Sequence, residues 1–184
     1  MFIAIDGLDG SGKSTAAANL ASLLRSSGRD VVVVEHPGDT IFGRMCRRLL
    51  LKSGKAAVVF SAAFLLCDMM STGFKARRGG RDVVAVRYTL SILYLPDSVS
   101  EFVHRVVESV LPAPDLSVLI DVDPCVALER VEARGEAEEV YENPEDMERV
   151  RSKMLSVPGI LVVDGSGTPE SVTRGIMEAT FPGS

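Results

Sequence analysis

Long apolar runs, paired cysteines, basic excess and linker-like segments are all scarce in this chain of 184 residues. Each scarcity closes off a class of protein. The three cysteines, Cys46, Cys67 and Cys125, are far apart and lack C-x-x-C spacing, which argues against a disulfide scaffold; they read as reduced core residues of a cytoplasmic protein. Lysine and arginine number 20 against 25 acidic residues, a net charge of -5. They are spread along the chain except for small clusters near residues 44–48 and 75–81, so duplex nucleic acid is not an expected partner. The one membrane-like stretch, "AAVVFSAAFLLCDMM" at residues 56–70, carries Asp68 and falls short of the roughly 20 apolar residues a span needs. The opening "MFIAI" has no basic region before it, so no signal peptide is expected. Without a composition shift, linker or internal repeat, residues 1–184 are expected to form a single domain.

What is present is an alternation of two periodicities. Short apolar runs at residues 2–5, 30–35, 82–86, 116–122 and 159–164, the second of them β-branched throughout its core, read as strands. Between them lie stretches with helical spacing at residues 16–24, 40–51, 56–76, 98–111 and 124–134, a short helix after the charged segment "GEAEEVYENPEDMER", and a terminal helix opened by Thr168 and Pro169. Gly28 stops the first helix, Asp39 or Thr40 is available to cap the second, and residues 88–95 favour neither pattern. Strand and helix in strict alternation predict a parallel sheet wrapped by helices.

Between the first strand and the first helix stands "GLDGSGKST". Gly7, Asp9, Gly10, Ser11, Gly12, Lys13, Ser14 and Thr15 span a G-x-x-x-x-G-K-[ST] pattern in the strand–loop–helix context it requires. The glycines let successive backbone N–H groups turn inward around a phosphate, and the following helix offers the positive end of its dipole to the same anion. Lys13 is expected to reach the β- and γ-phosphates of a nucleoside triphosphate and the Ser14 hydroxyl to ligate Mg²⁺.

Beyond that loop, the chain resembles the thymidylate kinase family of nucleoside monophosphate kinases over nearly its whole length. "IDGLDGSGKST" looks like that family's P-loop, "HPGDTIFGRMCRRLLL" resembles its "EPG-T-x-x-G" segment, "VRYTLSILY" resembles its "DRY-x-x-S-x-x-AY" segment, and "LIDVDPCVALERVEARG" is similar to its fourth strand and the helix leading to its lid. The resemblance implies a P-loop NTPase fold, α/β, with a five-stranded parallel sheet flanked by helices and a lid near residues 135–146. It further implies transfer of the γ-phosphoryl of ATP, with Mg²⁺, to a deoxynucleoside monophosphate, dTMP giving dTDP. Lys13 and Arg87 would be catalytic, Arg87 meeting the acceptor phosphate. Asp9 would meet the sugar hydroxyl, Phe60 would stack on the base, and Tyr88 and Tyr94 would lie on the acceptor side. Asp164 closes strand five, and its loop would line the adenine site.

The chain departs from the family pattern at defined places. Val86 stands where the "DRY" aspartate is expected, Phe64 where an arginine toward the base is expected, and Glu35 and His36 where "RE" precedes Pro-Gly. In the lid, Val140 replaces an arginine, and Arg130 or Arg134, one helical turn apart, could serve instead. Because an arginine at the moving phosphoryl can be worth ~10³–10⁵ in rate, two alternatives stand beside the first reading: a kinase of the same fold with another acceptor, and a nucleotide-binding protein with little transferase activity. Among the remaining polar residues, Asp39 reads as a helix cap, Asp121 and Asp123 as structural, and His36 lacks a partner ligand in sequence. The helix near residues 56–74 is apolar all round, which predicts a second packing face on a twofold-related copy, a homodimer.

Overall fold

A computed structural model describes residues 1–51, 55–95, 97–133 and 143–181. Five strands, β1 (Phe2–Gly7), β2 (Val31–Glu35), β3 (Asp82–Val86), β4 (Leu116–Asp121) and β5 (Leu161–Asp164), form one sheet in the order β2-β3-β1-β4-β5. All pairs are parallel. The chain begins at the centre, builds β2 and β3 on one side, then crosses to build β4 and β5 on the other. The carboxyl end of β1 therefore lies where the winding reverses, the place where open α/β sheets form a crevice.

The strands run apolar because both faces are covered. On one face α1 (Lys13–Ser26) and α7 (Pro169–Thr180) close over Ile3, Ile5, Val84, Val86, Val118 and Ile120. Helix α1 presents Ala16, Ala17, Leu20, Ala21 and Leu24 at intervals of three and four, and its alanines let the helix sit close to the sheet. On the opposite face α3 (Lys55–Arg78) and α4 (Asp97–Val110) cover Phe2, Ala4, Val83 and Ala85. A third cluster lies under α5 (Pro124–Glu132) and α6 (Pro144–Ser156), around Leu8, Leu90, Leu119, Met147 and Met154.

Helix starts follow their capping chemistry. Asp123, Asn143 and Thr168 each accept a backbone N–H through the side chain, and each is followed by proline at the first helical position. Helix α2 (Ile41–Leu50) is capped by Thr40, which accepts from Gly43 N–H. Asp39, expected as a possible cap, instead meets Arg47 at the surface. The segment that favoured neither period is a 3₁₀ turn, Thr89–Tyr94. Cys46 is buried as expected, but Cys67 and Cys125 are exposed, a correction to their reading as core residues; no disulfide joins any of the three. Most of the expected lid, with Arg134 and Val140, lies outside the described residues, and residues 143–146 already cap and open α6.

Candidate active site

The loop after β1 folds back on itself through Ser11 N–H, which donates to Leu8 C=O at 3.1 Å. Gly10 is required twice over. Its φ of 84° lies in the left-handed region, and a Cβ there would meet Ala127 C=O at 2.1 Å. Gly12, with φ of 93°, is the residue from which α1 starts. The hydroxyl of Ser11 is buried with no hydrogen-bond partner among the described residues, and the loop borders a cleft of about 260 Å³. A glycine-walled cradle with an unsatisfied polar group at its floor suits an anion. Arg130 enters the same cleft and donates to Gly165 C=O at 3.2 Å and to Gly10 C=O at 3.4 Å.

Lys13 opens α1 and is 5% exposed. Its Nζ donates to Leu8 C=O at 2.6 Å and to Asp9 Oδ1 at 3.1 Å. Burial pushes this ammonium below the usual lysine range, and the Asp9 carboxylate pulls the other way. The same carboxylate oxygen receives Arg87 Nη2 at 2.6 Å. One aspartate of the loop thus binds a cation of α1 and a cation from the end of β3. Tyr94 joins them, its hydroxyl accepting Asp9 N–H at 3.3 Å.

Arg87 has φ of 58°, an uncommon conformation for a long side chain. Its N–H donates to Ile5 C=O at 3.1 Å, so β1 holds the backbone in this bend while Asp9 holds the guanidinium. Such local strain clusters at functional sites. Arg87 separates two spaces. One is a small cavity of about 60 Å³ lined by Asp9, Leu65, Ser91 and Tyr94, next to another of about 40 Å³ that shares Leu50, Leu65 and Tyr94 in its wall. The other is a broad cleft of about 750 Å³ running from β2 past Glu35, His36 and Asp39.

Beneath the cluster Asp6, at the carboxyl end of β1, is fully buried. It accepts Tyr88 N–H at 2.8 Å and Ser91 Oγ–H at 3.2 Å. Burial raises its carboxyl from 3.8 to about 6, against the opposing effects of these donors and of Lys13. At the end of β2 Glu35 accepts the Ser14 hydroxyl at 2.7 Å. His36, next along, is 1% exposed; its Nδ1 lies 2.8 Å from Asp68 Oδ2 and its Nε2 3.3 Å from Thr72 Oγ1. Asp68 also accepts Gly38 N–H at 2.7 Å and the Thr40 hydroxyl. Burial alone would raise the Asp68 carboxyl, but His36, Gly38 and Thr40 together hold it below the usual range. This network ties α3 to the turn after β2. Only one signal for it existed in the sequence: a lone aspartate inside an apolar helix.

Two expected acceptor-side residues are placed elsewhere. Tyr88 is 0% exposed, packs edge-on against Phe2 at 5.1 Å, and its hydroxyl donates to Pro112 C=O at 2.9 Å. It is a core residue, because the left-handed bend at Arg87 turns the following side chain down into the sheet. Phe60 is 59% exposed, while Ser61, Ala62 and Leu65 are the α3 residues that line the small cavity. The rotation of α3 points Phe60 away from it. Phe64 stacks on Phe42 of α2 at 6.4 Å. Asp121 is held by Arg151 at 2.6 and 2.9 Å, Asp123 caps α5, and Asp164 accepts Ser166 N–H.

A five-stranded parallel sheet in this order, with a glycine-walled anion cradle between β1 and α1, defines an α/β protein of the P-loop class. The family described as thymidylate kinase matches residues 5–176. Its relatives include a probable thymidylate kinase of Archaeoglobus fulgidus, 32% identical and covering 94% of this chain and 90% of the relative. A thymidylate kinase of Xanthomonas campestris pv. campestris is 31% identical over 95% of this chain and 80% of the relative. A probable thymidylate kinase of Pyrobaculum aerophilum is 32% identical over 96% and 94%. The chain belongs to the thymidylate kinase family.

The buried Asp6 generates a pH prediction. Its folded-state pKa, about 6, exceeds the ordinary 3.8, so its contribution to stability is greatest below about pH 4 and is lost as pH rises through 6, roughly 3 kcal/mol in all. Asp6→Asn retains an acceptor for Tyr88 and Ser91 but cannot ionise. Its melting temperature is expected to exceed the wild type's by several degrees at pH 7, with the difference narrowing toward pH 4. A difference constant across that range would show that Asp6 ionises freely in the fold.

Proposed function

We propose that this protein transfers the γ-phosphoryl group of ATP to a deoxynucleoside monophosphate, with dTMP as the preferred acceptor and dTDP as product. The supporting observation is the position of Asp9. It joins Lys13 on the side of the anion cradle to Arg87 on the side of the small cavity. In this reading the two cations lie between the donor phosphates and the acceptor phosphate, and phosphoryl transfer is catalysed chiefly by positioning and by neutralising charge on the moving group. Relatives named thymidylate kinase make dTMP the first acceptor to test.

In this reading the backbone of Gly7, Asp9, Gly10, Ser11, Gly12, Lys13, Ser14 and Thr15 binds the phosphates of ATP. Lys13 exchanges its bond to Leu8 C=O for the β- and γ-phosphates. Arg87 orients the acceptor phosphate, and Asp9 and Tyr94 fix the sugar side. Arg130 lines the cleft bordered by the loop, beside Gly165, and would meet the donor nucleotide there. Mg²⁺, when bound, supplies positive charge across the β- and γ-phosphates. The Ser14 hydroxyl offers it a hard oxygen donor.

The acceptor cavities, at about 60 and 40 Å³, are far smaller than the several hundred Å³ a ligand site of this kind occupies. Acceptor binding therefore has to widen the space between α2, α3 and Tyr94. A second reading, a different acceptor, is favoured by one observation: Phe60 faces away from the cavity and Phe64 is engaged with Phe42, so the side chains expected to select thymine do not line it.

We further infer a homodimer in a reducing, cytoplasmic setting. Ile41, Phe42 and Met45 of α2 and Val59 and Phe60 of α3 are exposed, and α2 packs on α3, which supports an apolar surface for a second copy. The exposed thiols of Cys67 and Cys125 fit a compartment that keeps them reduced. No helix of the described residues is long and apolar enough to cross a membrane.

The test is ADP formation with a panel of nucleoside monophosphates. We expect dTMP to give the highest kcat/KM, Lys13→Ala to lose about 10³-fold or more in kcat, and Arg87→Ala to lose about 10²-fold with the deficit concentrated in the acceptor's KM. A panel in which another monophosphate is preferred establishes the second reading. Full activity of Lys13→Ala removes the loop from the mechanism. Sedimentation is expected to give twice the chain mass, and a monomer at micromolar concentration would contradict the dimer.

A further inference from the structure

The register of β2 against β3 pairs Glu35 with Val86. In a parallel pair, residues side by side in register project to the same face of the sheet. That face is set by Val86, which is packed in the α1 cluster. The Glu35 carboxylate accordingly reaches the first turn of α1, where its Oε1 accepts the Ser14 hydroxyl at 2.7 Å. One strand inward, at the same level, the side chain is that of an aliphatic valine, 0% exposed. The carboxylate available to this end of the sheet stands on β2 and not on β3.

The other acids near the loop are already committed. Asp9 holds Lys13 and Arg87, Asp6 is buried under Tyr88 and Ser91, and Asp121 is clamped by Arg151. Glu35 is exposed and borders the broad cleft that also contains Arg87. Among the described residues it meets no cation; its one hydrogen bond there is with Ser14. Adjacent ligands of an octahedral Mg²⁺ at about 2.1 Å lie about 3.0 Å apart. The Ser14–Glu35 oxygen separation is therefore close to that of two neighbouring ligand positions.

We propose that Glu35 supplies the protein carboxylate of the Mg²⁺ site, making Ser14 and Glu35 the chain's two oxygen donors to the metal that accompanies ATP. The inference rests on the ATP reading given above. Before the nucleotide arrives the pair is closed by its own hydrogen bond, which holds the two oxygens side by side. A carboxylate and a hydroxyl on two rigid elements make a hard, partial coordination shell, and the remaining positions fall to phosphate oxygens and water.

The experiment is calorimetric titration of ATP into wild type and Glu35→Gln, with Mg²⁺ and with chelator. Glutamine keeps the length and the acceptor for Ser14 but removes the charge. The proposal predicts that wild type gains affinity for ATP on adding Mg²⁺, that Glu35→Gln loses about tenfold or more of that gain, and that the two bind ATP alike in chelator. Electron paramagnetic resonance of Mn²⁺ with a non-hydrolysable ATP analogue is expected to show weaker metal retention in the variant by a similar factor. A Glu35→Gln protein with the full Mg²⁺-dependent gain and unchanged Mn²⁺ retention would overturn the proposal and leave the pair as a strut between β2 and α1, seen as a lowered melting temperature alone. Absence of ATP binding to the wild type under both conditions would instead overturn the phosphotransfer reading, so the two failures are distinct. The double variant Glu35→Gln with Val86→Asp, checked for folding by its melting transition, is expected to recover part of the metal dependence, because it returns a carboxylate to the same face one strand away.

Discussion

A single carboxylate oxygen, Asp9 Oδ1, holds Lys13 at 3.1 Å and Arg87 at 2.6 Å, and the arrangement of the whole site depends on it. Two cations this close to one another repel. Arg87 is among the influences that lower the Lys13 pKa, and burial of Lys13 adds a desolvation cost. An anion between them turns that repulsion into a bridge. It sets the two positive groups in place before any phosphate arrives, and substrates that bring negative charge then meet a preorganised field instead of having to order it.

The bridge is anchored in rigid structure on each side. Lys13 belongs to the first turn of α1, whose alanine-rich face lies against the sheet. Arg87 follows β3 in a left-handed bend pinned by Ile5 C=O, and Asp6 below it receives the next backbone N–H, that of Tyr88. On the far side of the cleft, the turn after β2 is held by the buried His36–Asp68 contact, which Gly38, Thr40 and Thr72 extend. Strands β1, β2 and β3 and helices α1 and α3 thus converge on one crevice. The expense is a raised carboxyl at Asp6 and an uncommon backbone at Arg87, the kind of local strain that surrounding structure must over-determine.

Much of this was readable from residues alone, for identifiable reasons. Strands β1 to β5 are short apolar runs, most of them rich in valine or isoleucine, and the loop glycines with Lys13 and Ser14 form a pattern whose spacing is dictated by the geometry of a phosphate. Asp9, Arg87 and Tyr94 came from resemblance, and the structure brings them together. What composition could not convey was rotation. Whether α3 turns Phe60 or Leu65 toward the cavity is decided by packing against α2, and whether Tyr88 lines the site or the core is decided by one backbone torsion before it. Glu35 was visible only as a departure from the family pattern; its proximity to Ser14 depends on strand register, which no local spacing encodes. The His36–Asp68 contact joins residues 32 positions apart and left only an acid in an apolar helix as its trace.

The central claim, that donor cleft and acceptor cavity meet at the Asp9 bridge, is tested most directly by a single molecule that carries adenosine and thymidine joined end to end through five phosphates. The account predicts that it binds one per chain, far more tightly than ATP or dTMP alone, and that it displaces both, because one ligand then occupies both sites without a second loss of translational freedom. Binding no tighter than that of ATP, with dTMP still able to bind alongside, would contradict it.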